Sequence, residues 1–416
     1  MPTDFVALQE PIGTDGIRTV NFFNGRLLTG GDMSREQAAR READARIGLA
    51  LGDGVASGLV VTYAGLTAPG KRPAVTVAPG VAVNRTGHVL CVTKPVELAL
   101  SRAASPLASN VACLFDDCAP PADGDFVGNA GLFLLTIGPA FTSEGRAQVS
   151  GLADANARCA VDATVEAVQF RLLEVPTKLF GGTTFADPDF RNQIAYRAFG
   201  QGVLPGWPAD LLGSKPRTDD LTEEMRGHGL QDSEVPLALI AFDGVFVHHF
   251  TDNWSVRRPL SLRDPDTIVS TLSEPRRLSV GRAMFRQFQA EIDDIGRVAG
   301  ALAKTDAQTR FAYLPPAGFL PALDNKQAVD FFRPMTVRGP VHIDASAVEP
   351  LLRESFSAPA IDTASDHVVW LYRIAQTRMM PRAASILLFA SGHLPYRGDA
   401  RFNLNHWNFA NYALTP

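Results

Sequence analysis

The spacing of apolar and polar positions changes several times along the chain. Over 32–51 charge dominates: Glu36 precedes Arg40 and Glu42 precedes Arg46 at the favourable i,i+4 spacing, while Ala39, Ala43 and Ile47 form a thin apolar row. This predicts a helix over 32–51, capped by Asp32, ended by glycines, and able to lie close against another element through its small residues. From Gly58 the period shortens. Apolar runs at 59–61, 74–78, 81–83 and 89–92, separated by Pro79-Gly80 and Thr86-Gly87, predict a meander of paired strands over 58–100. Runs at 132–137 and 163–173 predict two more strands, separated by a polar, alanine-rich stretch that carries Cys159. Strands at 235–242 and 245–250 flank Asp243-Gly244, the strongest hairpin signal in the chain.

Between these strands lie segments of another character. Residues 101–125 are mixed and suit a surface loop. Residues 180–221 contain glycine breaks, Pro205, Pro208, Pro216 and a short amphipathic piece at 191–199, which predicts a loop-rich insertion serving as a contact surface.

The longest helix is predicted over 278–304. From Phe285 its apolar positions, Phe288, Ile292, Ile295, Ala299 and Leu302, are spaced three, four, three, four and three, the spacing of a coiled-coil seam. Such a seam requires a partner, either the 32–51 helix or the same helix of another subunit, although Gly281 interrupts the first heptad. The following 311–321 stretch holds Pro315, Pro316 and Pro321 and is expected to be an extended linker. Strand-like pieces at 341–343, 367–374 and 385–389, with a helix over 346–356, complete an α+β C-terminal unit. The predicted fold is therefore multidomain α+β, mostly short antiparallel strands in a sandwich-like arrangement, with an N-terminal helix and one long heptad-patterned helix. Its divisions are 1–57, 58–275 (with the 180–221 insertion), 276–310 and 311–416.

Composition narrows the class. The 416 residues suit two or three domains, and 46% hydrophobic with 20% charged residues exclude a disordered or fibrous chain. The formal charge of −5, without a polybasic tract, argues against nucleic-acid and membrane-surface partners. Glycine (35) and proline (29) exceed ordinary usage of about 7% and 5%, in keeping with many turns. The start lacks a basic and apolar signal sequence, and no run approaches the roughly 18 apolar residues of a spanning helix, so neither export nor membrane insertion is expected. Cys91, Cys113, Cys118 and Cys159 are too few for a disulfide framework in a chain of this length, which suits a reducing cytoplasm.

Catalytic and metal constellations were sought and none is complete. Phosphate-loop, dinucleotide, nucleophile-elbow and zincin motifs are missing. Cys113 and Cys118 lack a nearby histidine, and the adjacent His248 and His249 would point to opposite faces of a strand, so no metal and no cofactor is expected. His342 and Asp344 share one strand face and are the only pairing suggestive of base and orienter, but they fit a polar strand end better. Tyr396, Trp407, Phe409 and Tyr412 could stack on sugars, and their alternation with asparagines also suits an interface.

Several blocks together resemble one family. They are NFFNGRLLT at 21–29 with the charged helix after it, GVASGL at 54–59, DNWSVRR at 252–258, YLPP at 313–316 and FASGHLPY at 389–396. In these blocks the chain resembles components of contractile injection systems and phage tail-like particles. More distantly, 23–33 resembles the start of the trimeric baseplate adaptor of type VI secretion. The resemblance implies a non-enzymatic structural subunit of a baseplate or fibre attachment, homo-oligomeric with a trimer favoured, assembled in the cytoplasm and then part of a particle. Its partners would be other baseplate or tail proteins. No repeated shaft sequence is present, which favours a compact adaptor over a fibre. The expected interface residues are Phe22, Phe23, Arg26 and Leu27, with Phe285, Phe288, Ile292 and Ile295 along the seam. The alternative is a carbohydrate- or cell-surface-binding module using the C-terminal aromatics.

Overall fold

The computed structural model describes residues 14, 16–67, 72–100, 130–148, 159–200, 221–244, 247–261, 274–298, 300–320, 323–356, 358–365, 368–375 and 387–391. Within them the chain is a multidomain α+β protein whose strands pair mainly antiparallel.

Helix α1 (Gly30–Leu51) starts two residues earlier than predicted. Its N-cap is Thr29, and Asp32 occupies the third helical position of a capping box with it. Strands β1 (Gly54–Gly58) to β6 (Val96–Ala99) then form two three-stranded sheets instead of one meander. Sheet β1-β4-β5 uses β4 (Gly80–Val83) and β5 (Val89–Val92), and sheet β2-β3-β6 uses β2 (Val61–Thr67) and β3 (Arg72–Val77). The chain changes sheet at Leu59, whose φ of 55° is the left-handed conformation. Because β1 pairs with β4, it belongs to this sandwich and not to the N-terminal helix.

The next sheet has the order β10-β9-β7-β8 and is buried on both faces near its centre. Odd positions Phe133, Leu135 and Ile137 of β7 (Gly131–Gln148) join the sandwich core with Val61, Val77 and Leu90. Even positions Leu132 and Leu134 face α2 (Phe190–Ala198) and α3 (Leu221–Arg226) through Phe190, Ile194 and Met225. This period-2 division explains why β7 and β9 (Val235–Gly244) read as continuous apolar runs. The polar stretch after Ile137 does not end the strand: β7 and β8 (Cys159–Glu174) stay paired from Phe133↔Glu174 to Gln148↔Cys159. Strand β9 accompanies β7 only to Ile137, so the remainder is a two-stranded ribbon. Strands β9 and β10 (Val247–Asp252) pair antiparallel as predicted, but Asp243 and Gly244 belong to β9, with Gly244 opposite Val247, and are not the turn. Within the predicted 180–221 insertion, 190–198 is the largely buried helix α2, and 201–220 lie outside the described residues.

The long helix α4 (Glu274–Gly296) ends before 304, and Leu302–Lys304 is a separate 3₁₀ turn. Its seam packs against the C-terminal part of the same chain and not against α1. Phe288 and Ile292 are buried against Phe311, Leu320 and Phe389 of the C-terminal sheet, and Ile295 packs on the same cluster. Phe285 is half-buried between Phe319 and Phe356. Gly281 sits where a Cβ would lie 2.1 Å from the Phe356 carbonyl oxygen, so this glycine permits a close crossing instead of breaking the helix.

The 311–321 stretch is also not a linker. Strands β11 (Tyr313–Leu314) and β12 (Ala317–Leu320) lie within it, and Phe311, Leu314, Ala317 and Leu320 are fully buried. The C-terminal sheet has the order β12-β16-β15-β13, with β13 (Thr336–Asp344) parallel to β15 (Val368–Ala375) and β16 (Leu387–Ser391) antiparallel between β12 and β15. One face carries α4; the other carries the helix Val348–Ser355 through Leu351, Tyr372 and Leu388.

Two buried asparagines act as surrogate strand partners. Asn253 accepts from the Val61 N–H at 2.7 Å and donates to its carbonyl at 2.8 Å, while Asn192 does the same for Tyr313 at 3.0 Å in each direction. The second pair ties the β-rich part to the C-terminal part.

Candidate functional site

The N-terminal motif is held in place by the helix it precedes. The Thr29 hydroxyl accepts from the Asp32 N–H at 3.2 Å, and Asp32 Oδ2 accepts from the Thr29 N–H at 3.0 Å and from its hydroxyl at 2.8 Å. Arg26 Nη2 meets Asp32 Oδ1 at 2.7 Å, and Arg26 Nη1 donates to the Asn21 carbonyl at 2.7 Å. Arg35 adds a second cation at 2.8 Å. The Thr29 hydrogen bonds, followed by Arg26, hold the Asp32 carboxyl down to about 2 from an ordinary 3.8. Upstream, the Val20 N–H donates to Glu36 at 3.2 Å, so 20–29 folds back along the first turns of α1.

This pinned backbone displays apolar side chains to solvent. Phe22 is 55% exposed, Phe23 62%, Leu27 87% and Leu28 50%, with Met33 at 50% beside them. They are therefore not a local core cluster. Arg26, by contrast, spends its guanidinium on Asp32 and lies 5.9 Å from the Phe23 ring centroid, so it orders the motif more than it displays it. Fixed, exposed aromatic and aliphatic groups are the usual form of a protein-docking patch, because little conformational entropy remains to be lost on binding.

Helix α1 extends the same surface. Its 22 residues span about 33 Å, and only Asp32, Ala39 and Gly48 are buried. It attaches where Gly48 meets Gly87 of the β4–β5 turn: a Cβ on Gly48 would lie 1.9 Å from the Gly87 carbonyl oxygen. Ile47 of the predicted apolar row remains exposed.

The other sequence-derived candidates are dispersed. Phe288 and Ile292 are buried in the interior described above, and Phe285 and Ile295 are half-buried against it. Tyr396, Trp407, Phe409 and Tyr412 lie outside the described residues, as do Cys113, Cys118 and His393. His342 is exposed on β13 opposite Arg373, and the side chain of Asp344 is outside the description. His248 stacks on Tyr63 with ring centroids 3.9 Å apart, while His249 is exposed. Among the described residues no three His, Cys, Asp or Glu side chains converge as metal ligands. Nor does any described helix have the length and apolarity to cross a membrane.

A small cavity between Asp53, Arg85, Glu223, Arg226 and Arg258 is lined by groups that pair among themselves, including Arg85 with Glu223 and Arg226 with Glu223 at 3.2 Å. Sequence reasoning missed Leu28, Met33 and the role of Thr29. The Thr-x-x-Asp spacing of 29–32 was the available signal for the last. No protein-family model matches the chain, and no curated protein sequence matches it.

Proposed function

We propose that this chain is a structural subunit, a baseplate or fibre-adaptor component, of a phage tail-like contractile injection particle, and that it acts by assembly and not by catalysis. The observation that carries the proposal is the exposure of Phe22, Phe23, Leu27 and Leu28 on a backbone held by the Thr29–Asp32–Arg26 clamp. The resemblance of 21–29 and the other blocks to such components supplies the context. The partner is another baseplate or tail protein whose groove takes these side chains, with α1 as the adjoining contact.

Self-association of copies, with a trimer favoured, rests on this N-terminal surface, because Phe288 and Ile292 are used inside the fold. The triple variant Phe22→Ala, Phe23→Ala, Leu27→Ala tests the proposal. It should lose co-sedimentation with particles from the producing cells while its circular dichroism and melting match the parent chain. Normal incorporation of the triple variant would overturn it.

A further inference from the structure

The joint between the β-rich and C-terminal parts contains a buried ionic cluster that assembly does not call for. Its centre is Arg191 on α2, whose guanidinium lies 3.3 Å from Asp252 at the end of β10 and 2.6 Å from Asp294 on α4. Two turns earlier on α4, Gln287 donates to Asp252 at 3.3 Å and makes a close hydrogen bond to Glu291. Asp252, Gln287 and Glu291 are all buried, while Asp294 reaches solvent.

The charge balance is uneven. Two buried carboxyl groups, Asp252 and Glu291, face the one guanidinium of Arg191, and ionising both would leave them with a net charge of −1; the exposed Asp294 has a second cation of its own, Arg297 at 3.1 Å. His248 approaches from β10, but burial, followed by the neighbouring His249, holds it down to about 4, so it is neutral above roughly pH 5. The remaining titratable neighbours are Tyr196 of α2 and Tyr313 of β11, stacked at 5.4 Å, and both are pushed up by burial.

Hydrogen-bond accounting points the same way. Gln287 Oε1 and the Tyr196 hydroxyl are buried without a partner. Asp252 is satisfied by Arg191, Gln287 and the Trp254 and Ser255 N–H groups, so the unmet pure acceptor is Gln287 Oε1, and one added proton on the neighbouring carboxyl improves the balance.

We propose that this cluster is a proton-operated latch: the α2–α4 joint closes most tightly while Glu291 carries a proton, and it loosens when that proton leaves. Burial pushes the Glu291 carboxyl up to about 7 from an ordinary 4.5, against the opposing pull of Arg191. The closed joint therefore holds a proton between pH 4.5 and 7 that the opened, solvated joint releases. Closure is favoured most at the acid end of this window and weakens as pH rises through it, levelling above about 7. The difference corresponds to a change on the order of a hundredfold in the opening equilibrium.

Hydrogen–deuterium exchange of the full chain at about pH 5 and about pH 8, corrected for intrinsic exchange rates, tests this directly. Peptides from 190–198 and 284–294 should lose on the order of a hundredfold in protection in the parent chain. They should show little pH dependence in the Glu291→Gln variant, which keeps the shape and the acceptor. The same pH dependence in both chains, or none in the parent, overturns the proposal. Should the variant fail to fold, carbon-13 titration of the glutamate carboxyls in the parent chain decides: one carboxyl titrating near 7 is expected, and the lack of any above 6 overturns the latch.

Discussion

Phe288 of the long helix meets Phe389 of strand β16 edge to face, with ring centroids 5.3 Å apart and planes at 85°. Phe311 and Phe332 close the same group at 5.3 and 5.1 Å. The residues that carry the heptad spacing are thus the core of the C-terminal unit. A sheet presents a broad apolar face, and a helix stripe that satisfies a coiled coil is satisfied equally by such a face.

Phe288→Ala should therefore destabilise the tertiary fold by about 3–5 kcal/mol, the usual cost of a large cavity in a packed core. Urea unfolding monitored by tryptophan fluorescence measures it. The milder Phe288→Leu should leave the mass of the native species, by light scattering, equal to that of the parent. A fall to a smaller species would return the seam to a subunit interface.

Gly281→Ala separates propensity from packing. Alanine would add about 0.8–1.0 kcal/mol of helix propensity, but its Cβ would collide with the Phe356 carbonyl 2.1 Å away. The expected net effect is a loss of about 1–3 kcal/mol, as for other overpacked sites. Gly296→Ala, which has open space around it at the end of the same helix, should be neutral or stabilising by up to about 1 kcal/mol. Thermal melts of both variants should shift in opposite directions or differ clearly in size.

Asn192→Ala should loosen the joint between the two parts of the chain. It leaves the Tyr313 N–H and carbonyl without the side chain that serves both, at roughly 1–3 kcal/mol for each group not reached by water. Exchange at 311–316 and 190–198 should rise together, while 235–242 in the central sheet stays protected. Uniform loss across all three regions would contradict a local role.

The clamp at the start of α1 should respond to acid. Asp32 is held down to about 2, so its contribution is complete above the ordinary 3.8 and is lost as pH falls from there through about 2. Amide exchange over 30–36 should rise within that window, and Asp32→Asn should show the acid behaviour at neutral pH. Thr29→Ala removes the cap hydroxyl and should cost the helix about 1 kcal/mol. In each case the sandwich and central sheet should keep their protection.

Most element types are legible in the local pattern. The charged helix around 36–46, the three-four spacing of 285–295, the antiparallel strands either side of 245–246 and the strand–helix mixture after 340 all correspond to structure. Two errors were local and avoidable. Thr29, not Asp32, is the cap, and Gly281 lies inside a helix because a neighbouring backbone crosses there.

The candidate site was legible only as a motif. Aromatic and leucine side chains at 22–28 fit either a core or a docking patch, and nothing local distinguishes the two. Exposure is decided by whether some distant surface closes over them, and here the clamp to Asp32 holds them facing water.

The sequence by itself determined which stretches become helix or strand, because side-chain period is imposed by the backbone geometry of each element. Tertiary structure alone decided the partners: a sheet for the Phe288 seam, Ile361–Asp362 and β16 for the two short strands of the proline-rich 311–320, and two interleaved sheets for 54–99. It also gathered Arg191, Asp252 and Glu291, which are up to 100 positions apart, into one buried cluster. Such contacts depend on which apolar faces meet when the whole chain closes, and that information is distributed over residues that no local pattern links.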